Sequence, residues 1–166
     1  MSSPVRKRLV LSVTGTPIPQ GSKRAWVAGD GKVRMTEDAG VRHHTWRSEV
    51  TGQARQGMVN IGRFGEPFRE PISCSVTFRF HRPLSHYGSG RNSEVVKPSS
   101  PAYMHKAPDL DKLVRAVWDA LTSVVWVDDG QVVAATIRKQ YVHRWEEEGV
   151  DIIVGTFITE EPDGIE

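Results

Sequence analysis

The sequence predicts one α+β domain, with a mixed or antiparallel β-sheet layered by two helices. Three observations predict it. Apolar residues recur at helical spacing in two segments, strand-type runs fill the others, and the order reads strand, hairpin, helix, strand, helix, strand, strand. At 166 residues with 38% hydrophobic composition, the chain is long enough for one sizeable core and short for two. Residues 1–166 therefore read as a single domain with a long loop at about 82–107 and short flexible termini.

Arg8 to Thr14 is a β-rich run that ends at Gly15-Thr-Pro-Ile-Pro-Gln-Gly21, where two prolines and two glycines forbid regular structure. Residues 25–27 and 32–35 flank Ala28-Gly-Asp-Gly31, a tight-turn signal, and predict a short basic hairpin. Thr36 with Glu37 and Asp38 supplies a helix cap and an acidic first turn. Val41, Trp46, Val50 and Ala54 then mark a first helix reaching about Gln56.

From Pro71 to Phe80, the residues Ile72, Cys74, Val76, Phe78 and Phe80 alternate with small or polar ones, the pattern of a half-buried strand. Residues 82–107 are rich in Pro, Ser and Gly and lack periodicity, so they predict a loop that is mobile or ordered by a ligand. Leu110, Leu113, Val114, Val117, Leu121 and Val124 give a second helix, from Asp109 to about Ser123, its core face. Residues 124–127 form a short strand or an extended link. Runs 132–142 and 150–159 read as an antiparallel pair joined by an acidic turn at 144–149.

Composition narrows the function. No apolar run approaches the roughly 18 residues of a membrane span, and the single cysteine excludes a disulfide framework. Cys74 lies in an alternating apolar strand and reads as a buried structural thiol. The first eight residues carry charge without an apolar signal-type stretch, so the expected compartment is the cytoplasm and no membrane partner is expected. The net charge of +2 conceals an asymmetry: residues 1–108 hold 17 Lys/Arg against 7 Asp/Glu, and residues 109–166 hold 5 against 13. Such a division suits a protein that grips phosphates with one surface and holds metal with another, although a solvated mixture of charges has the same composition.

The most informative stretch is 108–131. Asp109 and Asp111 stand where the second helix begins, and Asp128 and Asp129 stand where the next strand begins. Either of the first two alone is explained as a cap or a partner of the helix dipole. A cap does not call for a second acidic pair after the helix. The four carboxylates are therefore expected to converge at one end of the helix, where a divalent cation would neutralise them.

Around this set, Arg115 lies four residues after Asp111 and reads either as an i,i+4 surface partner or as a cation for transition-state charge. Asp119 continues the same polar face and is expected to be structural. Lys23, Arg24, Lys32 and Arg34 cluster around Trp26 on the hairpin and its entry, and are either phosphate contacts or a solvated turn. His43, His44, His81 and His86 are scattered beside one cysteine, which excludes a zinc set, and no phosphate-binding Gly-rich loop, serine triad or dinucleotide fingerprint occurs.

The pattern Asp-x-Asp, helix, Asp-Asp-x-Gln at 109–131 resembles the RusA-type Holliday junction resolvases, endodeoxyribonucleases of bacteria and their phages. Gly15-Thr-Pro-Ile-Pro-Gln-Gly-Ser-Lys-Arg24 is similar to that family's N-terminal Pro-Gln-Gly segment, and with the order of elements the resemblance covers residues 9–158. It implies a RusA-like fold and a Mg²⁺-dependent endonuclease, with Mn²⁺ able to substitute. It also implies a homodimer that cuts a four-way DNA junction by paired phosphodiester hydrolysis. Asp109, Asp111, Arg115 and Asp129 become the catalytic set, with Asp109, Asp111, Asp128 and Asp129 as metal ligands. Lys23, Arg24, Lys32, Arg34, Arg91, Lys97, Lys106 and Lys112 become the DNA contacts. Family members commonly carry Lys where this chain has Arg115 and Asn where it has Lys112; Arg keeps the charge without the proton-transfer option of a perturbed Lys. Two alternatives stay open: a less selective Mg²⁺ nuclease on branched or flap DNA, and a cleavage-deficient junction-binding protein.

Overall fold

A computed structural model describes residues 8–21, 23–27, 30, 32–37 and 40–157; within 23–27, 33–37 and 40–43 it describes the backbone alone. The elements run β1 (Arg8–Thr14), β2 (Lys23–Val27), β3 (Val33–Glu37), α1 (Gly40–Asn60), β4 (Ile72–His81), α2 (Leu110–Leu121), β5 (Val132–Val142) and β6 (Gly149–Thr156). β2 and β3 form a separate antiparallel hairpin. The other four strands form one mixed sheet in the order β1-β6-β4-β5, with β4 and β5 parallel and the remaining pairs antiparallel.

The alternation read from residues 72–80 is realised in β4: Ile72, Cys74, Val76, Phe78 and Phe80 are buried, and Ser73, Ser75, Thr77 and Arg79 lie half-exposed on the opposite face. Leu9, Leu11 and Val13 of β1 and Val150, Ile152 and Val154 of β6 continue the same buried face. Both helices cover it. α2 contributes Leu113, Ala116, Val117, Ala120 and Leu121, and α1 contributes Trp46, Val50, Ala54 and Met58. Full burial of one such aliphatic or aromatic side chain is worth about 1.5–3 kcal/mol.

β5 and β6 do not form the expected hairpin. They flank β4 on its two sides, and the six residues 143–148 carry the chain across the end of β4. β4 is the most regularly apolar strand and takes two neighbours. Gly149 makes the insertion of β6 feasible: it pairs with Thr14 on one side and Arg79 on the other, and a Cβ there would overlap the Val13 carbonyl.

α1 also begins later than its cap signal. Thr36 and Glu37 are taken up by β3, paired with Arg24 and Lys23, so hairpin hydrogen bonds win over the helix cap, and α1 runs on to Asn60. Residues 124–127 form no strand, only isolated bridges from Trp126 to Phe68 and Thr122. The expected end of β6 at residue 159 lies outside the described residues.

The 82–107 segment is ordered by its own chain. It holds 3-10 turns at Leu84–His86 and Gly90–Asn92, a bridge from Tyr87 to Val96, and a buried Tyr87. Ser100 Oγ donates to the His86 carbonyl at 2.9 Å, Arg82 donates to the Pro101 carbonyl at 2.7 Å, and the Arg82 guanidinium lies 4.6 Å from the Tyr141 ring centre.

Candidate active site

Asp109 occupies the N-cap position of α2 in extended conformation, yet its side chain makes no capping bond. It pairs instead with Lys112, Oδ2 to Nζ, at 3.1 Å. Asp111 stands exposed in the first turn with no bonded partner among the described residues. Two outside elements fix this turn. The Gln20 amide donates to the Lys112 carbonyl at 3.0 Å, which docks the 15–21 segment on α2, and Lys139 Nζ of β5 donates to the carbonyls of Lys106 and Pro108.

The second acidic pair is built differently. Asp128 caps a 3-10 turn at Asp129–Gln131 and accepts from the Gly130 amide at 2.7 Å. Gln131 Oε1 accepts from the amides of Val127 and Asp128 at 2.8 and 2.9 Å, and its Nε2 donates to the carbonyls of Phe68 and Glu70 at 3.0 and 3.1 Å. One amide side chain thus spans the turn and the entry to β4. Asp129 is left exposed and unbonded among the described residues.

The expected convergence of four carboxylates does not occur within one chain. β4, α2 and β5 form a parallel strand-helix-strand unit, in which the helix runs against the strands. Asp109 and Asp111 sit at the end where Lys139 meets Pro108, and Asp128 and Asp129 sit at the other end, where Gln131 meets Phe68 and Glu70. A helix of 12 residues is about 18 Å long, and the seven residue steps from Val132 to Lys139 span about 23 Å. Among the described residues, no three His, Cys, Asp or Glu side chains group as a metal-binding set. The pair Asp109 and Asp111 fits the one or two carboxylates from which Mg²⁺ is ordinarily held; the full set expected from the sequence does not fit a single chain.

Arg115 is exposed and forms no ion pair with Asp111, so the i,i+4 surface pairing is not realised. Of the expected DNA contacts, Lys32 is exposed, Arg91 lies on the 3-10 turn at Gly90–Asn92, and Lys97 Nζ donates to the Ser85 carbonyl. The side chains of Lys23, Arg24 and Arg34 lie outside the described residues. Lys106 is exposed, and Lys112 is engaged by Asp109. His86 is held below the usual histidine range, by desolvation first and then by the charges of Arg82, Lys106, Lys97 and His105. The long loop therefore gathers positive charge around His86.

Gln131, Lys139 and Gln20 position the site and had no role in the sequence reading. Gln131 was visible in Asp-Asp-x-Gln, but its reach to Phe68 and Glu70 depends on the fold. Lys139 carried no local signal. Over residues 15–154, from the Pro-Gln-Gly segment through both acidic pairs to β6, the sequence matches the family described as Endodeoxyribonuclease RusA.

The chain belongs to the RusA endodeoxyribonuclease family. It is also similar to the uncharacterized protein YqaN of Bacillus subtilis (strain 168), 28% identical over 144 residues that cover 86% of this chain and 92% of that protein. Membership makes it a nuclease of the Holliday junction resolvase type, a hydrolase of branched DNA, and RusA resolvases are metal-dependent. The two helices on a four-stranded mixed sheet are the RusA-like α+β domain expected from the sequence. No helix among the described residues is long and apolar enough to cross a membrane.

Proposed function

We propose that the protein cuts four-way DNA junctions as a homodimer with Mg²⁺, at sites that two copies build together. The observation that carries this is the placement of Asp109 and Asp111 at one end of α2 and of Asp129 at the other. A two-fold axis running across α2 would set one end of each chain beside the opposite end of its partner. Val133, 64% exposed on edge strand β5 and close in sequence to Asp129, is apolar surface that such a contact would cover.

In each composite site, Asp109 and Asp111 of one copy and Asp129 of the other would hold the ion, with Asp128 kept to its turn by the Gly130 amide. The bound cation supplies Lewis acidity and neutralises charge at the scissile phosphate. Arg115, free of Asp111, presents its guanidinium to the charge that builds on the phosphoryl oxygens during in-line attack. It supplies charge there without the proton-transfer option of a perturbed lysine. Lys32, Arg91, Lys97 and Lys106, with Lys23, Arg24 and Arg34 of the hairpin, are the proposed phosphate contacts.

Mixing Asp111→Asn with Asp129→Asn protein and allowing subunit exchange tests the composite site. Each variant alone is dead in Mg²⁺. The mixed dimer has one site with both substitutions and one with neither, so it should nick one strand of a synthetic junction. If each site were built within one chain, the mixture would be as inert as its parents. Equal cleavage of flap and junction by wild type would favour the less selective nuclease, and binding without cleavage the cleavage-deficient reading.

A further inference from the structure

Two glycines interrupt α1, and only one of them is explained inside the chain. A Cβ on Gly57 would overlap the Leu11 and Leu9 side chains, so glycine there lets α1 lie close on β1. A Cβ on Gly52 would meet nothing within 4 Å. Glycine is the poorest helix former after proline, and at an exposed mid-helix site with open space no packing within the molecule calls for it.

Gly52 lines a polar groove of about 480 Å³ with His44, Arg47, Ser48, Thr51 and Arg55, all on one stripe of α1. Arg55 has no hydrogen-bond or ion-pair partner among the described residues, and Arg47 has only the Asp119 carbonyl, at 3.4 Å. Thr51 Oγ1 donates to the Ala120 carbonyl at 3.1 Å, which seats the stripe beside the last turn of α2. Glu49, the one acidic residue of α1, lines a different pocket with Thr14, Ile18 and Trp46. The groove therefore combines two arginines without a carboxylate, two hydroxyls, and a point where backbone is bare.

We propose that this stripe of α1 is a docking track for the sugar-phosphate backbone of a duplex arm, with the bare backbone at Gly52 admitting close approach of a strand and Arg55 and Arg47 pairing with its phosphates. The occupant is nucleic acid because the stripe is mainly polar, offering donors and positive charge with little apolar area to bury, and arginine suits phosphate geometry. From residue 44 to 55 the stripe is about 16 Å long, roughly five base steps of duplex at 3.4 Å each. It runs beside α2 toward the end that carries Asp129. The assignment rests on the junction nuclease reading and adds where an arm of that substrate lies.

Gly52→Ala separates the possibilities, because stability and binding should move in opposite directions. Its Tm should rise by about 2–4 °C, while its affinity for a labelled four-way junction falls about 5- to 10-fold. Arg55→Gln should lower affinity for junction and linear duplex alike and reduce the slope of log affinity against log salt by about one. Wild-type binding and cleavage with both variants unchanged would overturn the track and leave the nuclease reading standing. A wild type that binds no junction DNA would remove both. If sedimentation shows Gly52→Ala breaking a dimer while affinity per dimer is unchanged, the surface belongs to a second copy and the track is wrong.

Discussion

Lys139 Nζ lies 2.7 Å from the carbonyl oxygen of Pro108, the residue immediately before Asp109. A strand at the sheet edge thereby holds the chain at the point where it enters the helix bearing the first acidic pair. Lys139→Met keeps the aliphatic stem and removes both charged donations. It should cost roughly 1–3 kcal/mol in urea unfolding and lower junction cleavage more than junction binding. Equal loss of both would mean that Lys139 contacts DNA directly.

Asp111→Asn should abolish cleavage and leave junction binding intact or tighter, because it removes charge that repels phosphate. Cleavage and band-shift assays with the same junction separate the two effects. A variant that cuts at the wild-type rate in Mg²⁺ would return Asp111 to a plain dipole partner.

Arg115 should tolerate lysine and not alanine. Arg115→Lys keeps most single-turnover activity, and Arg115→Ala loses about 10²–10³ in rate, the size of one transition-state contact. Since Arg115 has no ion pair with Asp111, its removal should change thermal stability little. Near-equal rates for wild type and alanine would take Arg115 out of the reaction.

Gln131→Glu is nearly isosteric with Gln131 but cannot donate to the Phe68 and Glu70 carbonyls when ionised. Stability should fall by about 1–3 kcal/mol at neutral pH and recover in part as the new carboxyl is protonated. Cleavage should fall with it, because Asp129 rides on the turn that Gln131 holds. Denaturant midpoints at pH 5 and pH 8 read the reversal; the same loss at both would place the defect elsewhere.

Burial pushes the Cys74 thiol up to about 12, against an ordinary value of 9.0. The folded state keeps this proton where the unfolded chain releases it. The contribution is complete below pH 9 and is lost progressively between 9 and 12. Folded protein should not react with a disulfide reagent at pH 8, whereas unfolded protein should react fully. Rapid labelling of the native state would contradict the burial.

The strand at 72–81 and the core face of α2 were legible, because each is written in local periodicity. Strand partnership was not. Runs 132–142 and 150–159 carry nothing that says whether they pair with each other or on either side of β4, and Gly149 explains the outcome only once Val13 and Arg79 are known to flank it. The same limit governs the site. Spacing placed Asp128 and Asp129 a helix length after Asp111, and the parallel pairing of β4 with β5 sends that length away from Asp109 rather than back to it. The order within 82–107 was hidden because it depends on backbone pairing and on Arg82 reaching Tyr141, neither of which has a period.

Placing β6 between β1 and β4 has a consequence for how the molecule is made. β1, made well before β6, has among the described strands only β6 as a partner, Arg8 opposite Gly155. Until synthesis reaches residue 149, β1 has no neighbour and β4 lacks one of its two, so both present open strand edges. The sheet therefore closes in a late, long-range step, and such topologies fold slowly. Nascent chains stalled before β6 should be captured by chaperones and be sensitive to protease, and release of the full chain should bring protection abruptly rather than by degrees.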